Sequence, residues 1–318
     1  MQKQDSHHSA THIFHVDIPQ NYQIQLVNLL NEKKFLETIN RSNCLLKSYP
    51  NSPMLHNIIG ASFSGLAEFD NAIASYKKAL KLSPKFSDAL FNIAVAYKEK
   101  NDVQNAIKHY EKLIKAKPDH YEAWNNLGIC YSEKKMYVRA IKCYGKAIQF
   151  NSSFTLAFFN KANALRDSGN TDKAISYYDQ VILLAPNFPD PYVSKGSILR
   201  KVGDVKEAVE LYQKALSLNP NYSEAYSLMG NALNELKKFD DAEVSYKNAI
   251  SLNPQNAEAW NSLGVLNFER ENFNKAIDCF YEAIKIDPGC SGPYANLGRL
   301  YRENNMFQEA AENIEKAI

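Results

Sequence analysis

Residues 121–154 read YEAWNNLGIC YSEKKMYVRA IKCYGKAIQF NSSF. In the first half Trp124, Leu127, Gly128 and Tyr131 stand three or four residues apart, the spacing of one helical face. Ala140, Ile141, Tyr144, Ala147 and Ile148 keep the same spacing in the second half. The stretch therefore predicts two amphipathic helices. Shifting the window by 34 residues finds it again along most of the chain: alanine recurs at 72, 106, 140, 174, 208, 242, 276 and 310. Proline recurs at 50, 84, 118, 186, 220, 254 and 288, and the one vacant place in that series is Ser152. Two residue types locked to one period mark a repeated structural unit.

Counting each unit from the third residue after the proline gives starts at 53, 87, 121, 155, 189, 223, 257 and 291, and positions 1 to 34 within it. Position 8 is always small (Gly60, Ala94, Gly128, Ala162, Gly196, Gly230, Gly264, Gly298), as expected where two helix backbones approach, and the alanine at position 20 is expected to face it. Position 24 is Tyr76, Tyr110, Tyr144, Tyr178, Tyr212, Tyr246 and Phe280, then Ile314, one large plug per hairpin. Turn-formers such as Ser168-Gly169-Asn170 and Val202-Gly203-Asp204 separate the two helices, and the proline at position 32 ends the second. A lone 34-residue hairpin buries too little apolar surface to offset its chain entropy. Stacking on neighbours supplies the rest, so the array is the folding unit.

The motif Trp124-x2-Leu127-Gly128-x2-Tyr131 followed by Ala140-x3-Tyr144, with the terminal proline that the other units carry, resembles the tetratricopeptide repeat (TPR) family, over residues 53–318. The resemblance implies an all-α fold, a right-handed superhelical solenoid of antiparallel helix hairpins with the first helix of each hairpin lining a concave groove. Residues 19–52 keep Tyr22, Leu29, Leu45 and Pro50 in register but place Thr38 and Ser42 where alanine and an aromatic belong. They are expected to form a degenerate N-terminal capping repeat, with residues 1–18 a flexible tail.

Bulk composition narrows the function. With 37 Lys+Arg against 35 Asp+Glu the net charge is +2, which offers no global field for phosphate backbones and disfavours nucleic acid as a partner. The five cysteines are odd in number, far apart and lack a C-x-x-C pair, so neither a disulfide framework nor a zinc site is expected. No stretch approaches the roughly 18 uninterrupted apolar residues of a membrane helix, and the N-terminus lacks a signal-peptide core. A cytoplasmic protein is expected. His7, His8, His12 and His15 are scattered in a polar tail, a pattern more often solvated than metal-loaded. Cys130 falls on the inward helix face as a small core residue, without a His/Asp pattern to activate it. Phosphate-cradling, metalloprotease and nucleophile-elbow motifs are absent, so neither cofactor nor catalysis is expected.

The family resemblance makes positions 2, 5, 6, 9, 12 and 13 the candidate contact residues. Position 6 carries Asn92, Asn126, Asn160 and Asn296; position 5 adds Asn57, Asn125 and Asn261; position 9 adds Asn163 and Asn231. An amide both donates and accepts, so a row of them can hold the backbone of an extended peptide without reading its side chains. The row resembles the asparagine ladder in the superhelical arm of O-linked N-acetylglucosamine transferases; the bland alternative is a solvated polar face. Phe91 and Phe159 at position 5 are candidates for an apolar anchor, or local packing. Lys161 and Lys195 at position 7, with Arg166 and Arg200 at position 12, would align in stacked units as a basic stripe for an acidic segment. Alternatively the lysines bury their stems and extend to water, with Asp167 among the neutralising acids. The carboxylate clamp of chaperone-tail receptors has no match in three successive units.

The sequence ends at Ile318, at position 28 of its unit, midway through an apolar face that a polar terminal helix would cover. Two readings stay open. One is a non-catalytic scaffold binding protein or peptide segments, with a homodimer through the uncapped C-terminal hairpin as one way to cover that face. The other is the substrate-recruiting arm of a larger glycosyltransferase or sulfotransferase, whose bacterial relatives the segment from Gln25-Leu26-Val27 to Gly60 resembles.

Overall fold

The computed structural model describes residues 18–318, and the four tail histidines lie outside them. Among the described residues every regular element is a helix. The chain divides into two units, Met1–Asn160 and Lys161–Ile318. The first holds α1 (Gln20–Asn31) and α2 (Phe35–Leu46), α3 (Pro53–Gly65) and α4 (Phe69–Leu82), α5 (Ser87–Glu99) and α6 (Val103–Ala116), and α7 (Tyr121–Glu133) and α8 (Tyr137–Phe150). Residues of α9 (Thr155–Asp167) fall in both. The second holds α10 (Thr171–Leu184), α11 (Asp190–Val202) and α12 (Val205–Leu218), α13 (Ser223–Glu235) and α14 (Phe239–Leu252), α15 (Ala257–Glu269) and α16 (Phe273–Ile286), and α17 (Ser291–Glu303) and α18 (Phe307–Ala317).

Each hairpin turns the same way. The residue at position 15 is left-handed throughout: Lys33, Ala67, Asn101, Lys135, Gly169, Gly203, Lys237, Glu271 and Asn305 all have φ between 57° and 102°. The next residue closes the turn on the carbonyl five back, as Glu68 N donates to Phe63 O at 2.9 Å and Met136 N to Tyr131 O at 2.8 Å. Only two of the nine are glycine, so the other seven each carry about 1 kcal/mol of backbone strain that the rest of the hairpin offsets. The left-handed Lys33 lies 34 residues before Ala67, which puts the α1–α2 hairpin on the same period as the others.

Inside each hairpin the decisive contact is between positions 8 and 24. Tyr76, Tyr110, Tyr144, Tyr178, Tyr212, Tyr246 and Phe280 are at most 2% exposed. A Cβ added to Gly60 would sit 2.5 Å from the Tyr76 ring, one on Gly128 2.5 Å from Tyr144, and one on Gly264 2.6 Å from Phe280. The glycine therefore makes room for the flat of the ring. The position-20 alanine lies close by as well, its carbonyl 3.3 Å from the added Cβ at Gly196 and at Gly298. In the α17–α18 hairpin Ile314 meets Gly298 with one methylene, 2.7 Å from the added Cβ, and stays 42% exposed. The α1–α2 hairpin inverts the arrangement: Leu26 at position 8 is buried, and Ser42 at position 24 is buried beside Thr38. The bulk has moved from the second helix to the first, a volume-conserving exchange.

Adjacent hairpins are tied by position 4. Trp124 Nε1 donates to the Pro118 carbonyl at 2.7 Å, Trp260 Nε1 to that of Pro254 at 3.2 Å, and Tyr192 Oη to that of Pro186 at 3.0 Å. The tryptophan of the motif thus satisfies the carbonyl on which the preceding repeat ends.

Burial pushes the Tyr76 phenol up to about 12, with a small opposing pull from its Ser64 hydrogen bond, and burial raises the other plug tyrosines in the same direction. An unfolded tyrosine titrates near 10. Below about 10 both states are protonated and the stabilisation is fully present; between about 10 and 12 only the unfolded chain loses its protons, so stability falls as pH rises. An alkaline titration followed together by circular dichroism and near-ultraviolet difference absorbance is expected to show tyrosine ionisation and helix loss in one cooperative step. Smooth ionisation near 10 with helicity intact would contradict it.

Candidate functional site

The amide row occupies the first helices, and its members are engaged with one another rather than free. Asn92 on α5 donates through Nδ2 to Asn57 Oδ1 on α3 at 3.1 Å; Asn160 on α9 donates to Asn125 Oδ1 on α7 at 2.9 Å; Asn296 on α17 donates to Asn261 Oδ1 on α15 at 2.9 Å. In each pair a position-6 amide reaches back to position 5 of the preceding repeat. Wherever position 5 is asparagine, the next position 6 is asparagine too.

Ile58 and Leu228 interrupt the row, and its other polar side chains reach back to a plug tyrosine. Asn126 Nδ2 donates to Tyr110 Oη at 3.3 Å, while Ser194 and Ser262 are hydrogen-bonded to Tyr178 and Tyr246. Position 9 receives the same hydroxyls within its own hairpin: Tyr178 Oη donates to Asn163 Oδ1 at 2.6 Å and Tyr246 Oη to Asn231 Oδ1 at 2.8 Å. The polar row is therefore where buried rings satisfy their hydroxyls, since a phenol left unpaired in a core would cost a full desolvation penalty.

Exposure sorts the candidates. Asn57 and Asn125 are buried, at 9% and 4%, so they support their neighbours and do not themselves offer an open contact. Asn92, Asn126, Asn160, Asn163, Asn231, Asn261 and Asn296 are half-buried. An amide such as Asn160 has committed one N–H to Asn125 and keeps its Oδ1 and second N–H, held in a fixed orientation. Phe91 is half-buried and stacked on His120, with centroids 5.2 Å apart and planes 15° from parallel, and meets Tyr110 edge-on at 5.9 Å. It is a packing residue of the α5–α7 junction as much as a surface one. Phe159 is half-buried as well.

Each of the four cations expected to align as a stripe has a partner, an acid for three of them and a tyrosine for Lys161. Lys195 Nζ donates to Asp179 at 2.9 Å and lies 3.6 Å from Glu207; Arg200 donates to Glu235 at 3.0 Å; Arg166 Nε donates to Asp167 at 2.9 Å. Lys161 Nζ donates to Tyr177 Oη at 2.6 Å and lies 4.4 Å from the centre of that ring. Asp179 and Glu207 come from second helices, α10 and α12, which the spacing along the first helices does not bring into view. Both serve Lys195.

Little here favours covalent chemistry. Burial, with nearby carboxylates adding to it, pushes the Cys130 and Cys279 thiols up to about 11 and Cys143 to about 12, so all three are protonated at neutral pH. Among the described residues no group of three or more His, Cys, Asp or Glu side chains could hold a metal ion. No helix among them is long and apolar enough to cross a membrane.

The asparagine pairs make a sharp energetic prediction. Asn160→Ala strands the buried Asn125 carbonyl oxygen and is expected to cost about 1–3 kcal/mol of unfolding free energy. The double variant with Asn125→Ala is expected to lose less than the sum of the two single losses, as read from denaturant unfolding. Strict additivity would show that the pair is incidental.

Family models agree with this architecture. Models described as tetratricopeptide repeat match residues 121–154, 155–188 and 257–290, residues 199–266, and residues 87–120 and 292–318, and a TPR repeat model matches residues 68–101. Together they leave unmatched only residues 189–198 and 291 between 68 and 318. No curated protein matches the chain. Among solved structures, the C-terminal part of a TPR repeat-containing protein from Cytophaga hutchinsonii superposes with a TM-score of 0.62 at 20% identity, covering 75% of this chain and 98% of that one. The APC/C hetero-tetramer Cut9–Hcn1 gives 0.62 at 18% identity over 84% of this chain and 52% of its own, so the chain spans about half of that protein. These likenesses concern the fold. By its family models, its period and its helical hairpins, the chain belongs to the tetratricopeptide repeat family.

Proposed function

We propose that the chain is a protein-interaction scaffold that holds an extended segment of a partner protein along the amide-bearing face of its first helices. The observation that carries this reading is the pairing of position 6 with position 5 of the preceding repeat at Asn57–Asn92, Asn125–Asn160 and Asn261–Asn296. Each pair fixes an amide plane before any ligand arrives, which lowers the entropy cost of binding. It leaves one acceptor and one donor on the position-6 amide, the complement of a peptide unit. Asn92, Asn126 and Asn160 follow at the repeat interval within the first unit, so one extended chain could meet several in turn. Backbone-directed contact of this kind tolerates many sequences. Membership of a family of interaction repeats is in keeping with it, and the same reading serves a free-standing scaffold or a recruiting arm.

Selection of ligands from a displayed random-peptide library tests the proposal. The replacement of Asn92, Asn126 and Asn160 together by alanine is expected to weaken the selected peptides by about tenfold or more, three backbone hydrogen bonds at about 0.5–1.5 kcal/mol each. The control is Asn57→Ala with Asn125→Ala, which disturbs the same pairs from their buried side and leaves the face amides in place. Equal affinity in the triple variant, with helicity retained, would remove the amide face as the binding surface.

A further inference from the structure

The net charge of +2 conceals an uneven distribution. Among the described residues the first unit carries nineteen Lys and Arg against eleven Asp and Glu, and the second seventeen against twenty-two. The excess in the first unit lies almost wholly on its second helices. Helices α4, α6 and α8 hold nine basic residues against two acids, Asp70 and Glu111. Neither acid is free to neutralise the face: Asp70 is bound by Lys100, just after α5, and Glu111 accepts from Tyr131 Oη at 2.8 Å.

The lysines form a grid. Lys78 and Lys81 on α4, Lys108, Lys112 and Lys115 on α6, and Lys142 on α8 are all exposed. Along a helix, spacings of three and four residues put neighbouring ammonium groups on one side, about 5–6 Å apart at their roots. None of the six makes an ion pair among the described residues. Two half-buried imidazoles report the crowding: the His109 ring, lowered first by burial, is lowered further by Lys112, Lys108 and Lys77 from two different helices, and His56, again after burial, by Lys78. The equivalent places on α16 are Asp278, Glu282 and Lys285, where Lys285 pairs with Glu282 at 3.4 Å. The repeat thus accepts acids there. Like charges at i, i+4 cost a few tenths of a kcal/mol each, so three successive hairpins retain a destabilising pattern that acids could relieve.

We infer that the lysine face of α4, α6 and α8 is a second docking surface, distinct from the amide row, and that it takes an acidic segment of a partner protein. The chemistry of the face selects that occupant. Arg139, over the Tyr131 ring at 5.6 Å from its centre, is the single arginine, so eight of the nine cations are point charges without the guanidinium fork of bidentate phosphate recognition. On α4 and α6 the aromatic side chains are buried or half-buried, and the exposed ring of α8, Phe150, stands at that helix's last residue, so no row of rings runs among the lysines for base stacking. Neither α4 nor α6 places an exposed large apolar side chain there, and α8 offers only Val138 and Phe150, at its two ends, too few to enter a bilayer. Hydrated, flexible ammonium groups in a grid suit carboxylates on a mobile acidic run.

Fluorescence anisotropy of labelled poly-glutamate against the whole chain tests the inference. Three reversals on the grid, Lys108→Glu, Lys112→Glu and Lys115→Glu, are compared with three of equal charge on the second unit, Lys206→Glu, Lys214→Glu and Lys247→Glu. Binding that falls with salt and drops by about tenfold or more in the first set alone is expected, three exposed ion pairs at up to about 1 kcal/mol each. Lys112→Glu alone, with helicity checked by circular dichroism, serves if the triple set unfolds. Equal losses in both sets would overturn the assignment. So would a duplex DNA or an anionic phospholipid vesicle that binds more tightly through the same lysines, or sedimentation showing the face covered by a second copy of the chain.

Discussion

A tyrosine ring lying flat on a glycine is the contact on which the rest of this protein depends. At Gly60, Gly128 and Gly230 the space for a single methyl group is occupied by the ring carbons of Tyr76, Tyr144 and Tyr246. That contact sets how closely the two helices of a hairpin approach. It also fixes where the phenolic oxygen emerges, and the oxygen must be satisfied because the ring is buried. It finds Ser64 or Ser132 at position 12, Asn163, Ser197 or Asn231 at position 9, or Asn126 of the following repeat. The packing of each core thus dictates polar residues on the face of the first helices, and the candidate binding row is in part a by-product of core chemistry.

Two kinds of residue on that row have to be kept apart. Buried Asn57 and Asn125 serve their neighbours, and half-buried Asn92 and Asn160 present what remains to solvent. A binding face assembled this way is rigid, because loosening an amide breaks an inter-repeat bond, and it is uninformative about ligand sequence, because what it offers is generic. In the proposed account selectivity comes from elsewhere, and the lysine face of the first unit is one such source. A partner that combines an extended backbone with an acidic run would engage two independent surfaces, and linked contacts multiply affinity without either being strong.

The period of 34 was legible in the alanine and proline series, and with it the paired helices and the buried plugs. The inter-repeat bonds were less so, because they do not fall at that period. Asn57 with Asn92, Asn125 with Asn160, Lys98 with Glu133 and Arg200 with Glu235 are all 35 residues apart, since a first-helix residue meets its neighbour one place out of register. Comparing position 5 with the next position 6 would have exposed the asparagine pairing without coordinates. The left-handed turn residue escaped notice because most of its occupants, such as Ala67, Lys135 and Glu271, carry no mark of that conformation. The partners of Lys195 and Arg200 were not legible from the first helices' spacing, because Asp179, Glu207 and Glu235 stand on other helices. The charge contrast was hidden by summing over the whole chain.

The α1–α2 hairpin contains a natural version of the experiment that tests the central contact, with Leu26 and Ser42 where other repeats place glycine and tyrosine. Transplanting that pair gives Gly128→Leu, Tyr144→Ser and the double variant, compared by denaturant unfolding. If the ring on the glycine sets the hairpin, each single change is strongly destabilising and the double variant recovers part of the loss, with a coupling of about 1–3 kcal/mol. Losses that simply add would contradict it, and would move the determinant of the fold away from the tyrosine and its glycine.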